Sequence, residues 1–321
     1  MNPVDHSSRP LVEIIRPTTV LEAPRLARRL GLKLTIASET FQVTGSFKFR
    51  AAFNVADKVP QRRIITASSG NFGQAIACAC QRLGKSCIVV MPNTSAQVKV
   101  EAVREYGATV DLIDTRVKPR HARVAELAAE NPDAYAASAY DDPLVIEGNA
   151  TLGAELAALQ RTFDFIVAPV GGGGLTSGII TGLRSASKTT PVIGVEPAIA
   201  NDAARSLRAG HIIANETEPQ TIADGVRTLS LGEHNWAVLR DGLAGIVEVS
   251  EESIKEAVRL LFSLANLKAE PTGALAIAAL LTRPEMFHDR SVCCLVSGGN
   301  VDPKVFREIL GGKTTRRERT P

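Results

Sequence analysis

Residues 165–183 read FIVAPVGGGGLTSGIITGL. Phe165–Val170 is nearly continuous in apolar residues rather than alternating, the pattern of a strand buried on both faces of a parallel sheet. Four successive glycines then lead into a helix-like segment, and four glycines cost too much conformational entropy to serve as a plain linker. The loop reads in two ways. It is either a tight structural turn or a cradle in which backbone N–H groups and the positive end of the next helix converge on a phosphate. The spacing is neither G-x-x-x-x-G-K-[ST] nor G-x-G-x-x-G with an acidic residue about 20 positions on, so the nucleotide-binding fingerprints are absent.

Working outward, similar apolar runs recur at Ile64–Thr66, Cys87–Met91, Thr109–Ile113, Pro191–Val195, Ile246–Val249 and Val292–Val296. Between them lie segments with apolar residues three and four apart: Phe72–Leu83, Val98–Tyr106, Ala122–Ala129, Ala154–Gln160 and Ile254–Ala265. Strand–helix alternation of this kind predicts an α/β fold with doubly wound parallel sheets flanked by helices. Two further strands end, like Val170, in small polar residues: Ala67-Ser68-Ser69-Gly70-Asn71 and Ser297-Gly298-Gly299-Asn300. Ligands of open α/β sheets collect beyond the carboxyl ends of the strands. These tips therefore predict a small-molecule site.

Upstream stands Thr44-Gly45-Ser46-Phe47-Lys48-Phe49-Arg50. A lysine between two phenylalanines is either an ordinary snorkelling side chain or a desolvated amine of lowered pKa, suited to Schiff-base chemistry.

Composition narrows the classes. With 321 residues, 45% hydrophobic and 22% charged, the chain can bury one large or two moderate cores. No apolar run approaches the ~18 residues of a membrane span, and no secretory pattern opens the sequence, so a cytoplasmic protein is expected. The net charge of +3 is matched by Lys313, Arg316, Arg317 and Arg319 against Glu318 at the extreme C-terminus, which leaves the body neutral. A nucleic-acid partner is not expected. Cys78, Cys80, Cys87, Cys293 and Cys294 are odd in number and lack C-x-x-C spacing, so buried small hydrophobes are expected rather than disulfides or a zinc site.

Taken together, Thr44–Arg50, Ser68–Gln74, Gly171–Leu175, Glu270–Gly273 and Ser297–Asn300 resemble the fold-type II pyridoxal-phosphate enzymes, in the branch of threonine/serine dehydratases (ammonia-lyases) and serine racemase. The resemblance runs from about Ser38 to Gly311, and Thr221–Val226 and Asp141-Asp142-Pro143 also fit it. It implies a two-lobed, tryptophan synthase β-like fold: a large cofactor-binding domain from residues 1–60 and 141–312, a small mobile domain over 61–140, and a basic tail at 313–321. It also implies pyridoxal 5'-phosphate as cofactor, an amino-acid substrate and a homodimer. Carried over by position, Lys48 would hold the cofactor covalently, with Phe47 beside the ring. Gly171, Gly172, Gly173, Gly174 and Leu175 would bind the phosphate, Asn71 the ring hydroxyl, and Ser297 the ring nitrogen. Gly225 and Glu270 would line the cofactor face. Ser68, Ser69, Gly70 and Asn71 would receive the substrate carboxylate. The expected reaction is dehydration and deamination of a hydroxy amino acid such as L-threonine or L-serine. Amino-acid racemisation, with Ser69 as proton donor on the face opposite Lys48, and 3-hydroxyaspartate dehydration remain alternatives.

The same resemblance implies a divalent cation (Mg2+, Ca2+ or Mn2+) at Glu196, the Ala200 carbonyl and Asp202; oxygen ligands suit such ions. Otherwise Asp202 simply caps the helix beginning near Ala203. The sequence departs from the family pattern around the substrate. Phe72 replaces histidine, Ser138-Ala139-Tyr140 replaces His-Pro-Phe, and Asn149-Ala150-Thr151 replaces Gln-Gly-Thr. Arg116, Arg120 and Arg123 follow a strand and read either as a solvated helix face or as partners for a second substrate carboxylate.

Overall fold

The apolar runs become strands, and those inside the six-stranded sheet are buried on both faces. In Ser291–Val296 every residue after Ser291 is buried. The computed structural model describes residues 14–68, 70–95 and 97–312, so Ser69 and the basic tail lie outside the described residues. In chain order the strands are β1 (Thr19–Glu22), β2 (Lys33–Ser38), β3 (Arg63–Ala67), β4 (Ser86–Pro92), β5 (Thr109–Ile113), β6 (Ala134–Ala137), β7 (Phe165–Pro169), β8 (Val192–Pro197), β9 (Leu243–Val249) and β10 (Ser291–Val296).

They form two sheets, a six-stranded one in the order β1-β2-β10-β7-β8-β9 and a four-stranded one in the order β5-β4-β3-β6. All pairings are parallel except β1 with β2. That edge pair is antiparallel because the short helix Pro24–Leu30, ended by a left-handed Gly31, turns the chain back rather than carrying it across the sheet. Each sheet has its own hydrophobic core. Val167, Ile193, Leu261 and Ile277 belong to that of the six-stranded sheet. Ile64, Ile76 and Val89 belong to that of the four-stranded sheet, which also takes in Phe49, Phe53 and Val55 of the helix Lys48–Lys58. All five cysteines are buried and free.

Helix Pro143–Ala158 extends well upstream of the expected Ala154–Gln160. Asp142 caps it, accepting from the Leu144 N–H at 2.8 Å. It packs on Gly174–Ser185 backbone to backbone. A Cβ on Gly153 would lie 2.4 Å from the Ile179 carbonyl oxygen, and one on Gly182 would lie 2.2 Å from that of Ala150. This close approach fixes where the glycine loop begins its helix.

Candidate active site

The site is built at strand tips, where β7 and β10 of one sheet meet the β3 and β6 tips of the other. Beyond β7, Gly173 takes a left-handed conformation (φ 100°) that starts helix Gly174–Ser185, and no side chain caps that end. Its first-turn N–H groups are thus offered to an anion. Asn235 Nδ2 donates to the carbonyls of Gly172 (2.8 Å) and Tyr140 (2.9 Å), and Asn149 Nδ2 donates to that of Gly174 (3.0 Å). The loop is a held cradle rather than a slack turn.

Lys48 opens the helix Lys48–Lys58. Beyond β10, the Ser297 carbonyl accepts from the Phe47 N–H at 3.0 Å, and the Gly45 carbonyl accepts from the Gly299 N–H at 3.0 Å. These bonds stitch the lysine loop to the β10 tip. Lys48 Nζ donates to the Ala139 carbonyl at 2.8 Å and lies 5.1 Å and 5.7 Å from the ring centres of Phe47 and Phe72. Burial brings the amine down to about 8, with the charge of Glu270 acting in the opposite direction. Glu270, itself buried, is pushed up to about 8 by desolvation and by the nearby Asp224 carboxylate. Asn71 Nδ2 donates to Glu270 Oε1 at 2.7 Å, and Asn300 Nδ2 donates to Asn71 Oδ1 at 2.8 Å.

One cavity is lined by Phe47, Lys48, Tyr140, Gly171 to Gly174, Leu175, Gly225, Thr272 and Ser297. Ser297 Oγ is buried and has no hydrogen-bond partner among the described residues, a donor and acceptor left for a ligand. Ser68 is buried, and its Oγ accepts from the Gly70 N–H at 3.3 Å, at the start of helix Asn71–Arg82. Ser69, the expected opposite-face donor, lies outside the described residues. Phe72 serves the hydrophobic core and also faces Lys48. Three residues escaped the sequence reading. Thr272 accepts from the Gly225 N–H through Oγ1 at 3.0 Å, and Asn235 and Asn149 hold the glycine loop. Asn149 carried a signal as a departure from the family pattern and Thr272 as a member of Glu270–Gly273, whereas Asn235 carried none.

The carboxylates of Glu196 and Asp202 are buried near each other. Glu196 accepts from the N–H groups of Ala203 (3.1 Å) and Ala204 (2.8 Å). Glu196, rather than Asp202, thereby caps the helix Asp202–Ala209. Asp202 Oδ1 accepts from Asn215 Nδ2 at 2.9 Å, while its Oδ2 is buried and unpartnered among the described residues. Desolvation, then the charge of Asp202, pushes Glu196 well up; desolvation brings Asp202 up to about 6.

A family model described as "Pyridoxal-phosphate dependent enzyme" matches residues 11–298. The L-threo-3-hydroxyaspartate ammonia-lyase of Saccharomyces cerevisiae is 36% identical over 314 residues, 97% of this chain and 95% of that protein. The serine racemase of Homo sapiens is 34% identical over 301 residues, 90% of this chain and 87% of that one. Among solved structures, a threonine deaminase from T.th. superposes with a TM-score of 0.85 at 41% identity, covering 92% of this chain and 96% of that chain.

Proposed function

The chain belongs to the family of pyridoxal-phosphate dependent enzymes, and on that premise we propose that it eliminates water from a β-hydroxy α-amino acid, releasing a 2-oxo acid and ammonia. The observation that carries this reading is Lys48, a buried amine of lowered pKa in the same cavity as an uncapped glycine cradle and an unpartnered serine hydroxyl. Named relatives with ammonia-lyase and deaminase activities support it.

When bound, pyridoxal 5'-phosphate supplies an electron sink for negative charge at the substrate α-carbon. Gly171 to Gly174 and Leu175 present backbone N–H groups to its phosphate, and the helix they begin adds its positive end. Phe47 would pack beside the ring, Asn71 would meet the ring hydroxyl, and Gly225 and Glu270 would line the cofactor face. Ser297 Oγ, buried and unpartnered among the described residues, would meet the ring nitrogen. A hydroxyl there, unlike a carboxylate, does not keep that nitrogen protonated, so the sink is weaker. Such a sink would favour prompt loss of a β-substituent over transamination. Ser68, Ser69, Gly70 and Asn71 receive the α-carboxylate at the positive start of their helix. Lys48 removes the α-proton as general base, because an amine brought to about 8 is partly neutral near physiological pH. Phe47 and Phe72 keep water from it.

The test is release of 2-oxo acid and ammonia in equal amounts from L-threonine, L-serine or L-threo-3-hydroxyaspartate. Absence of both products, from protein that has taken up the cofactor, overturns the reading. Racemisation is read out in the same assay by chiral separation of the remaining amino acid. D-isomer without 2-oxo acid would assign the chain to the racemases, with Ser69 as opposite-face donor.

A pH dependence follows from the buried amine. Only neutral Lys48 attacks an aldehyde, so the rate at which apoprotein captures pyridoxal phosphate rises with pH and levels off above about 8. Glu270→Gln removes the charge that favours the ammonium form and moves the midpoint to lower pH. Stopped-flow absorbance measures both, and an unmoved midpoint would separate Glu270 from Lys48.

Glu196, the Ala200 carbonyl and Asp202 would hold a divalent cation. The orphaned Asp202 Oδ2 and two buried carboxyls with little compensating positive charge fit such an ion. Its contribution would be structural, neutralising both groups. Mg2+ at about 100 times its dissociation constant stabilises a binding protein by about 2.7 kcal/mol, so thermal unfolding should move up by several degrees in the wild type. In Asp202→Asn the shift should vanish; an equal shift in both would remove Asp202 from the site.

A further inference from the structure

Helix Lys48–Lys58 is shared between the two lobes. Phe49, Phe53 and Val55 sit in the core of the four-stranded sheet, whereas the glycine cradle follows β7 of the six-stranded one. If the phenylalanines were its only anchors, Lys48 would travel with one lobe and the cradle with the other. A second stripe of the helix, Arg50 and Asn54, prevents this. Arg50 has no exposed surface, and each of its five N–H groups has a partner. Nε and Nη2 donate to Glu39 at 2.8 Å and 2.9 Å, Nη1 and Nη2 to Glu155 at 2.7 Å and 2.9 Å, and Nη1 to Thr151 Oγ1 at 3.0 Å. All three partners belong to the six-stranded lobe. Glu39 follows β2, and its N–H donates to the Val296 carbonyl of β10 at 2.9 Å. Thr151 and Glu155 lie on helix Pro143–Ala158, whose Leu152 and Leu156 share a core with Ile166 and Ala168 of β7.

That helix is also the mount of the cradle. Asn54 Nδ2 donates to its Leu144 carbonyl at 2.7 Å. A Cβ on Gly148 would lie 2.6 Å from the Arg50 carbonyl oxygen and 2.8 Å from Ala51 Cα, so the two backbones touch. The next residue, Asn149, holds the Gly174 carbonyl at the start of the cradle's helix. Lys48 and the cradle are thus fixed to adjacent positions of one element. Lys48 stands about 3 Å along the helix axis from Arg50, within the same turn, so any slip at Arg50 passes to the lysine undiminished. A cofactor gripped by its phosphate presents its aldehyde at a fixed span, and misplacing the amine by about 1 Å can cost about 100-fold in rate.

We propose that Arg50 is a positioning residue for cofactor capture: its fork locks the Lys48 helix onto helix Pro143–Ala158 at the distance from the glycine cradle that the phosphate-to-aldehyde span requires. The proposal rests on Lys48 as the cofactor's anchor and names what holds that anchor in register. A planar guanidinium meets Glu39 along one edge and Glu155 along another, which fixes the helix in rotation as well as along its axis. The point charge of a lysine cannot do this.

The test separates capture from binding. The full-length chain, freed of cofactor, is mixed with pyridoxal 5'-phosphate in a stopped-flow instrument, where the Lys48 amine adds to the aldehyde and one water leaves. Affinity for pyridoxine 5'-phosphate, which carries the phosphate but no aldehyde, is measured separately. Arg50→Lys keeps the charge and loses the fork, and it should slow capture about ten-fold. The triple variant Glu39→Gln, Arg50→Met, Glu155→Gln strands no buried charge and should keep a Tm near that of the wild type, yet slow capture about 100-fold. Pyridoxine 5'-phosphate should bind all three proteins alike. Pyridoxal, with no phosphate to hold its aldehyde in place, should react with Lys48 equally fast in all three. A merely structural network predicts wild-type capture in the folded triple variant, and that result would overturn the proposal. So would pyridoxine 5'-phosphate affinity or the pyridoxal rate falling in step with capture, since the cradle or the amine itself would then have changed. If the triple variant does not fold, Arg50→Lys decides alone, and capture at the wild-type rate overturns the proposal. A wild type that captures no cofactor on Lys48 would instead overturn the assignment of Lys48.

Discussion

Lys48→Ala abolishes turnover, lowering kcat by about 10³-fold or more, because one side chain supplies both the covalent anchor and the general base. The neighbourhood explains why no other lysine takes over. Nζ lies between Phe47 and Phe72 and is held by the Ala139 carbonyl, and desolvation brings it to about 8. Lys99 and Lys85, by contrast, are partly exposed and engaged with Asp224 and the Val59 carbonyl. The variant should keep its fold, since the lost group was an unneutralised buried amine whose removal relieves desolvation. It should also lose the visible absorbance of the bound cofactor. Activity within ten-fold of wild type would assign the chemistry elsewhere.

Gly182→Ala produces the largest effect on stability. The added methyl would sit 2.2 Å from the Ala150 carbonyl oxygen, 2.6 Å from the Ala154 nitrogen and 2.8 Å from the Gly153 carbonyl carbon. These are backbone atoms in the middle of a helix, which no rotamer change can move. Helices Pro143–Ala158 and Gly174–Ser185 must therefore separate. Overpacking of this kind costs about 3 kcal/mol or more, several degrees of Tm for a chain this long. The cost is not confined to stability, because Asn149 on one helix holds the Gly174 carbonyl at the start of the other. Cofactor affinity should fall along with Tm. A wild-type Tm in the variant would mean that the helices are not packed this closely.

The fold was legible where burial dictates composition. The seven β-branched runs are strands, most of them because central strands of parallel sheets covered on both faces admit little else. Three strands were not legible. Ala134–Ala137 carries no Val or Ile, Thr19–Glu22 is a four-residue edge, and Lys33–Ser38 mixes lysine, threonine and serine into its apolar run. Helix Pro143–Ala158 was half hidden for a different reason. Gly148 and Gly153 weaken its helical signature, and they are there because neighbouring backbone leaves no room for a Cβ. At the site, Lys48, the four glycines and Ser297 stood out because each occupies a loop or a strand tip with an unusual composition. Asn235 could not stand out. It acts through the carbonyl of Gly172, 63 residues away, and only the folded chain brings the two together. For Asp202 geometry answers only the cap, which Glu196 supplies by accepting from the Ala203 and Ala204 N–H groups.

The most direct test of the central claim is borohydride reduction of the holoenzyme followed by peptide mass mapping. The account predicts a single pyridoxyl-modified peptide, spanning Thr44–Arg50 with the label on Lys48, and no label when apoprotein is carried through the same treatment without cofactor. A label on any other lysine, or none on a protein that releases 2-oxo acid, would contradict it.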